Sequence, residues 1–414
     1  MSVILDVPNP YKSGPIFRLT PFRLFGAGPS NCSPNVLQAM TFQPFTAFNR
    51  TYFELSKEIK EMTQYVYQTK NPMTFLAQYS GNGGNEAMIT NLADPGDTII
   101  VAQAGIWGFK VADMGRRYKL NVIELTLPAG EVYSFEELEK QIIKHKPVAL
   151  FMTHGESSGG ILQPLEGLGK ICQKYNCLLS VDAVVSVGVS PLFVDRWEID
   201  AVCGGTQKGL GAPPGMVLMS FNKRAHERML KKKERPPYIL DMLVHADVWR
   251  CFETSGPTYI YTFNTNMFAA VRQALAEICE EGIENVWKRH QDCSDLFIKK
   301  TEKLGIRHFI EKPENRFCGV NCVTLPEDVD WHEFCEYLLS KHEIELGMGI
   351  GPTLDKAIRI GFLAQNAKPD LVEFVVNALE DGIRHCRSKS GTFDVHSSNN
   401  LFVFYTLKSG QKKK

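Results

Sequence analysis

Short apolar runs alternate with stretches of helical periodicity along the first two thirds of this 414-residue chain. The runs are continuous and bounded by turn residues, which is typical of strands buried on both faces of a sheet. The pattern predicts an α/β domain built on a mostly parallel sheet. Predicted strands cover residues 73–80, 97–102, 121–126, 147–154, 177–182, 200–203 and 216–221, and predicted helices cover 85–94, 107–119, 135–146 and 164–176.

The pattern changes from about residue 264 onward. A long helical stretch covers residues 266–305, and short strands then mix with helices, which predicts a smaller α+β domain. The chain thus divides into an N-terminal arm over 1–24, a large domain over 25–283, a small C-terminal domain over 284–389 and a tail over 390–414.

Composition and charge argue against several classes of protein. The chain has 46 basic and 46 acidic residues, so its net charge gives no reason to expect a nucleic-acid partner. No apolar stretch reaches the roughly 18 residues of a membrane span, so no membrane partner is expected. The eleven cysteines form neither a CxxC pair nor a Cys/His cluster, which favours reduced thiols and no metal site.

Polar and glycine-rich loops follow the predicted strands at their carboxyl ends, where open α/β sheets bind ligands. The loop SGNGGN (80–85) precedes a helix; it is either an ordinary turn or a set of backbone N–H groups for a phosphate. Trp107 is either a core residue or a flat face for an aromatic cofactor ring. Asp182 ends an apolar strand, where its carboxylate needs a partner such as a helix N-terminus or a protonated ring nitrogen.

Lys208 lies in the segment CGGTQKGLGAPPG (203–215), whose small residues let another group approach the amine closely. A lysine that is desolvated near other cations has a lowered pKa and becomes a nucleophile. A phosphate turn, a stacking ring, a carboxylate for a ring nitrogen and a reactive lysine are together what pyridoxal 5′-phosphate (PLP) requires.

Several motifs resemble those of the alanine–glyoxylate / serine–pyruvate aminotransferases, which are class V, fold-type I PLP enzymes. The similarity covers about residues 15–388, and the insect 3-hydroxykynurenine transaminases are a close branch. The resemblance implies a large, mostly parallel-sheet α/β/α domain, a smaller C-terminal α+β domain, and a homodimer with shared active sites. The motifs are GAGPSN (26–31), GIWG (105–108), THGESSGG (153–160), LLSVDAVVSVG (178–188), TQKGLGAPPG (206–215) and IRIGFLAQNA (358–367).

The resemblance implies roles for individual cofactor-binding residues. Lys208 matches the lysine that binds the cofactor covalently and acts as catalytic base. Asp182 matches the carboxylate on the pyridinium nitrogen, and Trp107 matches the residue that stacks on the ring. Ser157 and Gln207 match further cofactor contacts.

The resemblance also implies a substrate site and a contribution from a second subunit. Arg359 matches the arginine that binds the substrate carboxylate as a bidentate pair. The backbone around Gly28 matches the segment that faces this carboxylate. Tyr259 and Thr262 match residues that reach the cofactor phosphate from the other subunit of the dimer.

The sequence departs from the family pattern at three places. The phosphate turn is about two residues shorter and lacks a histidine, so Gly81, Asn82 and Gly83 align only loosely with it. The segment YIYT (259–262) replaces YHHT. Thr46 and Ala47 occupy the stretch that the resemblance implies faces the substrate, and the kynurenine-type branch carries an asparagine in place of Ala47.

The predicted function is therefore transfer of an amino group from alanine or serine to a 2-oxo acid such as glyoxylate or pyruvate. Alternatives are a 3-hydroxykynurenine or kynurenine transaminase, a desulfurase or lyase of the same fold, and a paralogue with weak or no activity. We expect a cytoplasmic location, with the peroxisome or the mitochondrion as alternatives, since members of the family occur in all three.

Overall fold

The computed structural model describes residues 22–252 and 259–389. Its strands, in chain order, are β1 (Arg23–Leu24), β2 (Met73–Ala77), β3 (Thr98–Gln103), β4 (Asn121–Thr126), β5 (Ala149–Thr153), β6 (Gly155–Glu156), β7 (Ile161–Leu162), β8 (Leu178–Asp182), β9 (Ala201–Gly205), β10 (Val217–Phe221), β11 (Arg307–His308), β12 (Val320–Thr324), β13 (Ile344–Glu345), β14 (Gly347–Met348) and β15 (Ile358–Gly361).

The helices alternate with these strands in the first part of the chain and dominate the second. The α-helices are α1 (Pro34–Gln38), α2 (Arg50–Tyr67), α3 (Gly81–Leu92), α4 (Ile106–Arg117), α5 (Phe135–His145), α6 (Leu168–Lys174), α7 (Lys223–Leu230), α8 (Met242–Val248), α9 (Thr265–Glu281), α10 (Ile283–Thr301), α11 (Trp331–His342) and α12 (Pro369–Lys389). Short 3-10 helices cover Tyr238–Leu240, Glu302–Leu304, Pro313–Asn315, Gly351–Thr353 and Ala364–Asn366.

The main sheet of the described residues has seven strands in the order β2-β10-β9-β8-β5-β3-β4. Strand β10 runs antiparallel to both neighbours, β2 and β9, and the other neighbouring pairs are parallel. Every residue of β2, β5, β8, β9 and β10 is buried, which explains why these strands are continuous apolar runs in the sequence. The predicted mostly parallel sheet is confirmed.

A smaller antiparallel sheet has the order β11-β12-β15-β14 and packs with α10, α11 and α12. Two hydrophobic clusters accompany the two sheets, and helix α10 contributes to both. Its residues Val286 and Trp287 belong to the first cluster, whereas Cys293 and Phe297 belong to the second. The division into domains at residues 283 and 284 stays a prediction.

The structure corrects the sequence interpretation at several elements. The helical stretch predicted over 266–305 is two helices, because Gly282 adopts a φ of 84° between α9 and α10. The sequence interpretation misses helix α2, although its 18 residues pack on α9. Residues 1–21 of the predicted arm and the tail over 390–414 lie outside the described residues.

Within residues 22–252 and 259–389, no helix combines the length and apolar character needed to cross a bilayer. In the same ranges, no group of three or more His, Cys, Asp or Glu side chains is placed to hold a metal ion.

Candidate active site

The carboxyl ends of the parallel strands meet at one edge of the main sheet, as the strand order requires. A pocket with about 550 Å³ of empty volume lies at this edge. It brings together seven of the residues singled out in the sequence, from five separate loops. Its lining is Ser80, Gly81, Asn82, Asn85, Trp107, Gly155, Ser157, Asp182, Val184, Val185, Gln207 and Lys208.

Lys208 lies three residues beyond β9 and reaches toward the segment that contains Gly28. Its Nζ donates a hydrogen bond of 2.6 Å to the carbonyl of Ala27. Gly28 adopts a φ of 91°, and a Cβ atom there would fall 2.6 Å from the lysine Nζ, so only glycine leaves room for the side chain.

The surroundings of Lys208 lower its pKa to about 8. Burial is the largest cause, the nearby charge of Arg359 adds to it, and the carboxylate of Asp182 opposes it. At neutral pH a larger fraction of this amine is therefore unprotonated than in an ordinary lysine, which makes it a better nucleophile and base.

Asp182 is the last residue of β8, and its carboxylate is buried with two hydrogen-bond donors. The Asn85 side-chain amide donates to Oδ2 at 2.7 Å, and the Val184 backbone N–H donates to Oδ1 at 2.9 Å. Burial raises the pKa of Asp182, while these two donors and the Lys208 charge oppose the rise. A buried carboxylate in this setting suits a cationic partner such as a protonated ring nitrogen.

Trp107 is the second residue of α4, and its ring borders the same pocket. The indole Nε1 donates to the Ser157 hydroxyl at 2.9 Å, which fixes the orientation of the ring. The Lys110 ammonium lies 4.5 Å from the ring centroid, in a cation–π contact. These contacts fix the orientation of the Trp107 ring, which lines the pocket.

Arg359 comes from β15 of the smaller sheet and is 9% exposed. Its Nε donates to the Met348 carbonyl at 2.7 Å, and its Nη1 donates to the Ser157 carbonyl at 3.1 Å. Burial lowers the pKa of Arg359, while Cys322 and Glu156 oppose this. The smaller sheet thus brings a guanidinium beside the pocket of the larger one.

Helix α3 begins at the glycine-rich loop, four residues earlier than the sequence predicted. Ser80 caps it by accepting a hydrogen bond from the Gly83 backbone N–H. Gly81 and Asn82 line the pocket in the first helical turn, where backbone N–H groups lack partners within the helix. A Cβ atom at Gly81 would fall 2.8 Å from Val184, so the loop needs glycine there.

These groups fit PLP in kind and in placement. The N-terminus of α3 suits the phosphate, Asp182 the ring nitrogen, Trp107 the ring face, and Lys208 the aldehyde carbon. The Gln207 Oε1 atom is buried without a hydrogen-bond partner in the described residues, which leaves a polar group for a ligand. The shortened turn therefore still ends in a helix that can receive a phosphate.

Four predicted site residues are not among the residues that line this pocket. Tyr259 and Thr262 bond to each other at 2.5 Å on an exposed surface. Thr46 is exposed, and Ala47 borders a separate small cavity with Phe48, whose ring stacks on Tyr259 at 6.2 Å. We call the surface that carries these residues the second face.

The sequence interpretation did not single out five residues that line the pocket, namely Ser80, Asn85, Gly155, Val184 and Val185. The pattern predicts Asn85 only as the start of a helix, whereas its side chain holds Asp182. Ser80 carries a recognisable signal, because serine before a helix is a preferred N-cap. Val184 has no signal of its own beyond its position two residues after Asp182.

Comparisons with known proteins identify the family of this chain. A profile described as Aminotransferase class-V matches residues 23–374. The chain is 37% identical to alanine–glyoxylate aminotransferase of Rattus norvegicus over 92% of each chain. It is 35% identical to the Drosophila melanogaster protein of the same name, over 92% of this chain and 97% of the relative.

A solved structure named alanine–glyoxylate aminotransferase, from Nostoc sp., superposes with a TM-score of 0.87 at 34% identity. The match covers 90% of this chain and 98% of the other. The described architecture is accordingly the fold-type I arrangement of PLP enzymes. The chain belongs to the class-V aminotransferase family.

Proposed function

We propose that this PLP-dependent aminotransferase takes the amino group of alanine or serine and delivers it to glyoxylate or pyruvate. The observation that carries the proposal is the grouping of Lys208, Asp182 and Arg359 at one sheet edge, with the pKa of the lysine lowered to about 8. The names of the curated relatives support glyoxylate as an acceptor.

Each of the three residues has a separate task in this reaction. When bound, PLP supplies an electron-poor ring that accepts the electron pair released at the substrate Cα. Arg359 binds the substrate carboxylate, which orients the Cα–H bond toward the lysine amine. The neutral amine of Lys208 would remove the Cα proton and return a proton at the former aldehyde carbon of the cofactor, two atoms away, while Asp182 would keep the ring nitrogen protonated.

A half-reaction tests the proposed function directly. The protein is loaded with PLP and mixed with alanine in the absence of any 2-oxo acid. We expect release of one pyruvate per active site and conversion of the bound cofactor to its pyridoxamine form, followed by reversal when glyoxylate is added. Binding of PLP without release of pyruvate from alanine or of hydroxypyruvate from serine would contradict the proposal. Turnover of 3-hydroxykynurenine alone would favour a kynurenine-type transaminase.

The proposed assembly is a homodimer in which Tyr259, Thr262, Thr46 and Ala47 approach the pocket of the other copy. The second face, which carries these residues, exposes several large apolar side chains, as protein interfaces do. Phe48 is 68% exposed and Tyr238 is 62% exposed. Mass photometry tests the assembly, with an expected mass twice that of the 46.6 kDa chain and a single-chain mass as the contradicting result.

A desulfurase and a paralogue without activity are less well supported than an aminotransferase. All eleven cysteines lie in the described residues, and each is buried or half-buried, so none offers the exposed thiol that a desulfurase needs. The intact pocket argues against a paralogue without activity. The cytoplasmic location stays a prediction.

A further inference from the structure

A buried glutamate lies directly behind the pocket, without a task in the proposed reaction. Glu156 ends strand β6, one residue before Ser157, and is 1% exposed. A buried carboxylate must be hydrogen-bonded or face positive charge, since its desolvation is costly. Its contacts therefore indicate what it stabilises.

One carboxylate oxygen closes the turn between β6 and β7. The Glu156 Oε2 atom accepts from the Ser158 backbone N–H at 3.0 Å, from the Ser158 hydroxyl at 2.6 Å and from the Gly159 N–H at 2.9 Å. The Glu156 backbone carbonyl also accepts from the Gly160 N–H at 2.9 Å. The turn over residues 157–160 is thus organised around this carboxylate.

The same turn contacts two groups of the candidate active site. The Ser157 hydroxyl accepts from the Trp107 indole at 2.9 Å. The Ser157 carbonyl accepts from Arg359 Nη1 at 3.1 Å. A shift of the turn would therefore move the partners of both the ring-stacking residue and the carboxylate-binding residue.

The whole carboxylate group also lies at the N-terminus of α4, the helix that carries Trp107, and its Oε1 atom has no hydrogen-bond partner in the described residues. The N-cap, Gly105, offers no side chain, and a Cβ atom there would fall 2.5 Å from Glu156 Oε1. The Ile106 N–H donates to the Ser158 hydroxyl at 3.2 Å, so the turn also holds the start of the helix. A negative charge at this position interacts favourably with the positive end of α4.

The charge of Glu156 also acts on Arg359. Burial raises the pKa of Glu156, and the hydrogen bonds from Ser158 and Gly159, together with the nearby Trp107 backbone N–H, oppose this rise. In return, the carboxylate raises the pKa of Arg359 against the effect of burial. The carboxylate thus favours the charged form of the guanidinium.

We propose that Glu156 is a positioning residue, whose carboxylate fixes the turn over residues 157–160 against α4 and thereby sets Trp107 and Arg359 for cofactor and substrate. The inference rests on the proposed function, which assigns those two residues their tasks. It adds a residue that touches neither cofactor nor substrate.

Glu156→Gln is the informative variant, because it keeps the shape and removes the charge. The amide oxygen can replace Oε2 and keep its three hydrogen bonds, while the NH₂ group takes the place of Oε1, which has no hydrogen-bond partner in the described residues, so the variant tests the loss of the charge. We expect the visible circular dichroism of bound PLP to fall by half or more. We also expect KM for alanine and for glyoxylate to rise roughly tenfold, with a smaller change in kcat, as for lost carboxylate binding.

Asp200→Asn is the matched control, since Asp200 is a second buried carboxylate at the opposite end of the sheet. It precedes β9 and accepts from Arg224 Nη1 at 2.8 Å. We expect this variant to lower the melting temperature while the cofactor dichroism and both KM values stay unchanged. Glu156→Asp keeps the charge and should recover part of the dichroism.

The outcomes distinguish a failure of the positioning role from a failure of the proposed function. If Glu156→Gln lowers only the melting temperature, as Asp200→Asn does, the positioning role is wrong. If wild-type protein itself shows no cofactor dichroism and no turnover, the proposed function has failed instead. Should Glu156→Gln not fold, Ser158→Ala removes one donor to the carboxylate and must show the same changes to a smaller extent, or the inference is overturned.

Discussion

The pocket around Lys208 and the second face around Tyr259 differ in how complete they are within one chain. In the pocket, Lys208, Asp182 and Trp107 all have partners supplied by other loops of the same chain. On the second face, the Tyr259 and Thr262 hydroxyls bond to each other among the described side chains, and the surface is exposed. In the proposed dimer, one chain builds the chemical centre and the second face of the other copy supplies the outer contacts.

Replacing Lys208 should have the largest effect. Lys208→Ala removes both the covalent anchor and the base, so we expect turnover to fall by roughly 1,000-fold or more. The absorbance that arises from the lysine-bound cofactor should disappear, as measured by a visible spectrum.

The control for this variant is Lys110→Ala, which removes a lysine whose ammonium contacts the Trp107 ring. It should keep turnover within a few-fold of wild type. Repeated turnover by Lys208→Ala would show that the pocket is not the chemical centre.

Changes on the second face should have an intermediate effect. In the combined variant Tyr259→Phe and Thr262→Ala, we expect PLP to bind roughly tenfold more weakly, because the proposed dimer would lose two hydroxyl donors to the phosphate. Cofactor titration followed by fluorescence measures the affinity. Thr41→Ala, another exposed residue with a local hydrogen bond, is the control and should leave affinity unchanged. Equal affinities for both variants would assign the phosphate entirely to the pocket.

The pH dependence of cofactor incorporation sharpens the account of Lys208. Only the neutral amine reacts with the aldehyde, so the incorporation rate should rise with pH to a midpoint near the lysine pKa of about 8. Arg359→Gln removes a charge that lowers this pKa, so its midpoint should lie higher. Asp182→Asn removes a charge that raises it, so its midpoint should lie lower. Stopped-flow absorbance measures the rates, and identical midpoints in all three proteins would contradict the assignment.

The smallest expected effect concerns His290, which joins α10 to the segment after β15. Its Nδ1 bonds the Val286 carbonyl at 2.7 Å, and its Nε2 accepts from the Ala364 N–H at 3.1 Å, so the ring is neutral. Burial lowers its pKa from 6.5 to about 4.

Between pH 6.5 and 4, His290 therefore binds a proton in the unfolded chain but stays neutral in the native protein. The free energy of unfolding thus falls as the pH drops through this range. At about pH 5 this residue should cost about 2 kcal/mol relative to about pH 7. In urea unfolding of the apo-protein, His290→Gln should lose less stability over that interval than wild type. An unchanged pH dependence would mean that His290 does not titrate as described.

Much of the pocket could be predicted from the sequence because its residues follow short apolar strands. Asp182 and Lys208 lie within three residues of a buried strand end, and parallel strands bring such ends together. The specific motifs then indicated the family and PLP. The main-sheet strands are correspondingly close to their predicted positions.

Several features could not be predicted because they depend on distant contacts. Helix α3 begins inside a glycine-rich loop, where local helix propensity is low. The Ser80 cap and the close packing of Gly81 on Val184 stabilise the helix there. In the sequence Asn85 is an ordinary helical residue, and only the fold brings its side chain to Asp182. In the proposed dimer, the position of Thr46 and Ala47 relative to a pocket depends on the partner copy. The hydrophobic pattern of a single chain carries no information on that arrangement.

Complementation between two inactive variants tests the comparison most directly. Lys208→Ala and the combined Tyr259 and Thr262 variant are co-expressed with different tags and assayed at a PLP concentration where neither alone is active. In a mixed dimer, one site pairs an intact Lys208 with an intact second face from the partner copy. Random pairing puts half of the chains in mixed dimers, so we expect roughly a quarter of wild-type turnover. No recovery in purified mixed dimers would mean that each chain builds its whole site alone.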